Sequence, residues 1–137
     1  MANAIYPKMK QSWLAADANS ALTGSGATGV YVALLTSAYT YNSAHQFYSS
    51  LSGVVGTDQE ITTLTTTNGL IDGDNLTYSS VAGGSTIVAM AFYRKNAGAN
   101  TTWRLIAYED TGITGTPLVT NGGDVTVTWD ASGIIQL

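Results

Sequence analysis

The chain has 137 residues, no cysteine and a formal net charge of −4 from nine acidic and five basic residues. That length suits one domain burying roughly two-thirds of the surface its unfolded form exposes, and the missing thiols exclude disulfides and thiolate metal sites. With 10% charged residues against 45% hydrophobic, the composition excludes a disordered chain and a basic footprint for nucleic acid or an anionic membrane; the surface falls to Ser, Thr, Asn and Gly, which lose little on desolvation against a partner.

Residues 1–16 are read as a short N-terminal helix or arm, and residues 17–137 as a single β-sandwich domain. Pro7 suits the first turn of a helix, where its missing N–H costs nothing, and Ile5, Met9 and Trp13 recur at four-residue spacing. MANAIYPKMKQSW lacks the continuous apolar core of a secretory signal, and no stretch approaches the roughly 18 apolar residues of a membrane-spanning helix. The sequons Asn75-Leu76-Thr77 and Asn100-Thr101-Thr102 are read as chance matches. Residues 17–29, rich in Asn, Ser and Gly, form a loop. Val30–Thr36, apolar on both faces, is a strand covered on both sides. In 37–52, Ser43 is placed to cap a short helix through His45, Phe47, Tyr48 and Leu51.

Gln59–Thr67 is threonine-rich and reads as extended, and Asn68-Gly69 signals a hairpin turn. Leu70-Ile71 is extended, Asp72–Asn75 a turn, Leu76–Ser80 a short strand and Val81–Ser85 another turn. Thr86–Arg94 and Thr102–Glu109 are strong strands joined as an antiparallel hairpin across KNAGANT. Gly112–Pro117 is a loop. Val125, Val127 and Trp129 then alternate with Thr126, Thr128 and Asp130 as an inside/outside strand, and Gly133–Leu137 closes the chain as a last strand. The sum is a mainly β fold, an antiparallel β-sandwich or jelly-roll-like barrel with a short N-terminal helix or arm and one short helix. The two-faced run Ile87–Phe92 leaves a surface that a helix or another subunit must cover.

Little in the chain carries chemistry. The single histidine, His45, has no Gly-x-Ser-x-Gly elbow to serve and reads as a capped or packed side chain. The acids Asp17, Asp58, Glu60, Asp72, Asp74, Glu109, Asp110, Asp124 and Asp130 lie mostly in Gly/Asn turns, where Asp bonds nearby backbone. Asp72, Asp74 and Asn75 resemble a fragment of a calcium loop without its later glycine and terminal glutamate. Gly24-Ser25-Gly26 and Gly83-Gly84 match no phosphate loop. Arg94 and Arg104 flank the hairpin as solvated charges, an ion pair or partner contacts. Tyr39, Tyr41, Phe47 and Tyr48 would make a sugar platform only if exposed; packing is the expected role. The reading is a non-enzyme with no cofactor and no metal.

Met1-Ala2-Asn3-Ala4-Ile5-Tyr6-Pro7-Lys8, Val32–Leu35 followed by Ser37–His45, Arg104–Tyr108 and Asn121–Trp129, in that order and spanning nearly the whole chain, resemble small virion proteins encoded in the structural modules of tailed bacteriophages. The resemblance implies a structural virion protein. Gene type and the size of jelly-roll cement proteins narrow this to a capsid cement (decoration) protein clamping neighbouring subunits of the expanded head. It implies the major capsid protein and a second copy of the chain as partners, as a homodimer in preference to a trimer, with no nucleic acid and no membrane. It places the protein on the capsid surface of the virion after synthesis in the host cytoplasm. The expected partner-contact residues are Ile5, Tyr6, Met9 and Trp13, on an arm whose removal spares the fold. The alternatives are a tail, collar or head-fibre structural protein, and a carbohydrate-binding host-attachment module using Tyr39, Tyr41 and Tyr48.

Overall fold

A computed structural model describes residues 3–137. In chain order the elements are β1 (Ala4–Ile5), α1 (Pro7–Leu14), β2 (Val30–Leu35), β3 (Val54–Glu60), β4 (Thr65–Thr67), β5 (Leu70–Asp72), β6 (Leu76–Tyr78), β7 (Thr86–Ile87), β8 (Ala89–Arg94), β9 (Arg104–Glu109), β10 (Leu118–Val119), β11 (Val125–Val127) and β12 (Ile135–Gln136). The fold is mainly β, with antiparallel sheets and one α-helix. The runs that are apolar on both faces pair with one another: a five-stranded sheet has the order β1-β9-β8-β2-β3. Every residue of β8 is buried, as are all of β2 except Tyr31 and all of β9 except its two ends. Small sheets β10-β7, β11-β6 and β12-β5-β4 supply the cover, a layered arrangement compatible with a sandwich.

Registry across the three central strands sorts the side chains. Leu34 lies opposite Met90, and Met90 opposite Glu109; Val32 lies opposite Phe92, and Phe92 opposite Ala107. Residues directly opposite share a face, so Leu34, Met90 and Glu109 form one row and Val32, Phe92 and Ala107 the next. Tyr31 and Tyr93 pair on the other face, and their rings stack at 5.8 Å.

Asn68 and Gly69 turn the chain between β4 and β5 with φ of +55° and +76°, the left-handed pair a two-residue hairpin demands. Pro7 begins α1, as expected.

Three sequence expectations are corrected. The helix through 43–51 is absent: Phe47 bridges to Arg104, Leu105 N–H donates to Gln46 C=O, and Tyr48 N–H donates to Trp103 C=O. Pairing with β9 outweighs the local capping pattern, and Tyr48–Ser50 keeps only a 3-10 turn. The single strand 86–94 divides at Val88, because β7 pairs with β10 while β8 pairs with β2. The threonine-rich run breaks between β3 and β4, where Ile61 enters the core.

A further correction concerns the arm, of which Met1 and Ala2 lie outside the described residues. Tyr6 is 0% exposed and Met9 1%, so both belong to the body. β1 pairs with β9, Ala4 opposite Tyr108 and Ile5 opposite Ala107, and Tyr6 N–H donates to Ile106 C=O at 2.9 Å. Deleting residues 2–13 is therefore predicted to unfold the protein, and Met9→Ala to cost about 2–5 kcal/mol. Urea titration read by tyrosine and tryptophan fluorescence checks both; a cooperative transition for the deletion with the wild-type midpoint would refute the packing described.

Candidate functional site

The residues expected to contact a partner are drawn inward. Tyr6 and Met9 are core; Ile5 and Trp13 are half-buried and packed against it. Trp13 Nε1 donates to Ser20 C=O at 2.7 Å. The arginines are not solvated charges. Arg94 is buried, and its Nε donates to Ala21 C=O at 2.7 Å. Arg104 donates from Nη1 to Ser12 Oγ at 2.8 Å and from Nε to Ala18 C=O at 3.2 Å, and stands 3.7 Å from Asp17. Together they staple α1 and the following loop to the sheet.

An aromatic layer covers the Tyr31/Tyr93 face. Tyr93 and Trp103 stack at 5.7 Å, Tyr48 meets Tyr93 edge-on at 4.6 Å, and the Lys95 ammonium sits 5.0 Å from the Tyr31 and Trp103 ring centres. Asp58 accepts from the Tyr93 hydroxyl at 2.9 Å through Oδ2, while its buried Oδ1 has no hydrogen-bond partner among the described residues. Burial pushes the Asp58 carboxyl above its usual range, against the pull of the Tyr48 and Tyr93 hydroxyls and Lys95. His45 Nδ1 lies 2.9 Å from the Tyr39 hydroxyl, which lies 2.8 Å from that of Tyr6. His45 thus ends a packed chain of hydroxyls. Tyr39 is 5% exposed, so Tyr39, Tyr41 and Tyr48 do not present an exposed row of rings.

On the opposite face a cleft of about 810 Å³ opens between the sheet, the loop after β9 and the C-terminal strands. Leu34, Met90, Ile87, Val125 and Ile134 make its apolar walls, with Trp129 and Leu118 beside them. Trp129 is held by its N–H to Asn75 Oδ1 and its Nε1–H to Asp74 C=O, both 2.9 Å, and its ring lies 5.7 Å from that of Phe92.

Two acids line the cleft, Glu109 and Asp130. Asp130 is committed to its own turn: Oδ1 accepts the Ser132 N–H at 2.8 Å, which holds its carboxyl below the usual range. Glu109 is half-buried at the end of the Leu34–Met90 row, and burial alone pushes its carboxyl up. Among the described residues no hydrogen bond or ion pair engages the Glu109 side chain.

The other acids have structural partners. Glu60 takes Gly26 N–H at 2.7 Å, Asp72 takes Gly73 N–H at 2.9 Å and Asp124 takes Ser80 N–H at 2.8 Å. Asp74 takes the Thr62 and Thr63 hydroxyls at 3.0 and 2.7 Å, which accounts for the calcium-loop fragment as loop fixing. Among the described residues no three His, Asp or Glu side chains converge as metal ligands do. An uncompensated carboxylate in an apolar cleft can receive a cation or donate its proton to a ligand. Sequence reasoning counted Glu109 among the acids but missed its setting. The available signal was an acid two residues beyond Ala107, on the same side of a strand whose interior is apolar.

No protein-family model, no curated protein and no solved structure matches this chain.

The raised Glu109 carboxyl has a signed consequence. The folded state binds this proton more tightly than the unfolded chain does, so the resulting stability is full below the ordinary carboxyl range and lost as pH rises through the raised value. Glu109→Gln is predicted to gain stability over the wild type progressively from about pH 4 to pH 7. Asp58 acts in the same direction in both proteins and cancels in the difference. Urea midpoints of the two proteins across that range would disprove the assignment if they ran parallel.

Proposed function

We propose that the chain is a structural virion protein, a capsid cement protein that clamps neighbouring major capsid subunits and stabilises the expanded head. The observation that carries the reading is a set of open, uncharged sheet edges. β4 ends its sheet, and all three of its threonines are exposed. β10 ends another, with Leu118 37% and Val119 65% exposed. Soluble β proteins commonly blunt such edges with lysine or other charges. Here no charged residue occurs from Ile61 to Ile71 or from Thr111 to Gly123.

Neutral edges of this kind suit a lasting neighbour, because main-chain groups pair across them and no strongly hydrated charge is stripped. The phage-protein resemblance of the sequence supports the same reading. A two-fold contact between copies would use one such edge twice, the isologous arrangement.

Location in the particle tests the proposal. A virion reconstruction is expected to show the protein arrayed over the head lattice between capsid subunits. A single ring at the tail vertex would replace cement by a collar or tail role, and absence from the particle would overturn the structural reading altogether.

A further inference from the structure

The cleft and the open edge of β10 are one feature. Leu118 belongs to β10 and also lines the cleft, as does Ile87, its partner on β7. Thr120 N–H donates to Ser85 C=O at 2.8 Å. Because hydrogen-bonded and non-bonded positions alternate in an antiparallel ladder, Val119 is the residue whose N–H and C=O point away from β7, toward the open side. An extended segment added there would bond to Val119, and its residue opposite Leu118 would share the cleft-facing side. Glu109 waits in the same cleft, beyond the apolar walls made by Met90 and Leu34.

Among the described residues the cationic side chains are elsewhere. Arg94 and Arg104 hold the loop after α1, Lys95 sits over aromatic rings, and Lys8 and Lys10 lie on the exposed side of α1. We propose that this cleft receives an extended segment of a partner protein, which adds to the edge of β10 and places a lysine or arginine, flanked by apolar residues on the same face, against Glu109. The inference rests on the reading above only in taking the occupant to be a protein.

Charge complementarity selects this occupant. A cationic side chain is what a half-buried carboxylate without a partner lacks, and the walls suit the aliphatic stem of that side chain. The cleft volume of about 810 Å³ accommodates several side chains. A glycan would want an open ring face, whereas both N–H groups of Trp129 are committed to the 74–75 turn and its ring leans on Phe92.

The test uses the full-length protein labelled with ¹⁵N and the acetylated, amidated peptide Val-Thr-Lys-Thr-Val, whose alternate residues share a face. Titration to millimolar peptide is expected to give saturable shifts of the Val119 amide and the Trp129 indole. Glu109→Gln should weaken binding roughly tenfold. Val119→Pro, which removes only the outward N–H and leaves the ladder to β7 intact, should abolish it. A peptide with glutamate for the lysine should not bind. The proposal is overturned if a norleucine peptide binds equally well, if Glu109→Gln binds as the wild type does, if the shifts map elsewhere, or if none saturates. It is equally overturned, in favour of a sugar ligand, if maltohexaose shifts Trp129 and the peptide does not. Absence of the protein from virions would refute the cement reading and leave this titration separately readable.

Discussion

The arrangement depends on one constraint: β2, β8 and β9 carry apolar side chains on both faces, so both faces must be kept from water. A single eight-residue helix cannot cover either face. Short strands and loops do it instead, and they bring backbone polar groups against the core that must find partners. Side chains provide many of them. Tyr78 donates to Val32 C=O at 2.7 Å, Arg94 to Ala21 C=O, Trp13 to Ser20 C=O, and Trp103 to Asn96 and Gly98 carbonyls at 3.1 and 2.9 Å. The tyrosines and tryptophans suit this role because each couples a large apolar body to one polar tip.

That solution engages three of the chain's five basic side chains. The two arginines serve the N-terminal loop, Lys95 serves the aromatic layer, and Lys8 and Lys10 stand on the exposed side of α1, so among the described residues the acid ending the Leu34–Met90–Glu109 row has no counter-charge. It also leaves short sheets with open ends, because strands of two or three residues cover a face without closing on one another. The uncompensated carboxylate and the neutral edges are thus products of the same economy of construction. They meet where β10 borders the cleft, and the proposal that neighbouring chains complete the molecule starts there.

Much of the fold was legible in the sequence because its signals are local. Pro7 marks the helix start, Asn68-Gly69 marks the hairpin, and the Val125/Thr126/Val127 alternation gives one buried, one exposed and one half-buried residue. What escaped was set by distant partners. Phe47 and Tyr48 looked helical by spacing but pair with β9, whose outer edge needed covering between β1 and the hairpin. Val88 joins two strands that read as one, since nothing in TIVAMAFYR records a change of sheet. Ile5, Met9 and Trp13 mark an apolar face in the sequence, but spacing alone does not say whether such a face meets its own body or another chain. Glu109 stood out only once the registry with Met90 placed it in the cleft.

In the proposed reading, neighbouring chains complete the open edges. Amide hydrogen exchange, compared between the free protein and the protein on purified virions, tests it most directly. In the free protein β2, β8 and β9 should exchange slowest and the outward amides of Thr66 and Val119 fast; on the particle both should become protected. Fast exchange at both edges in both states would contradict the claim.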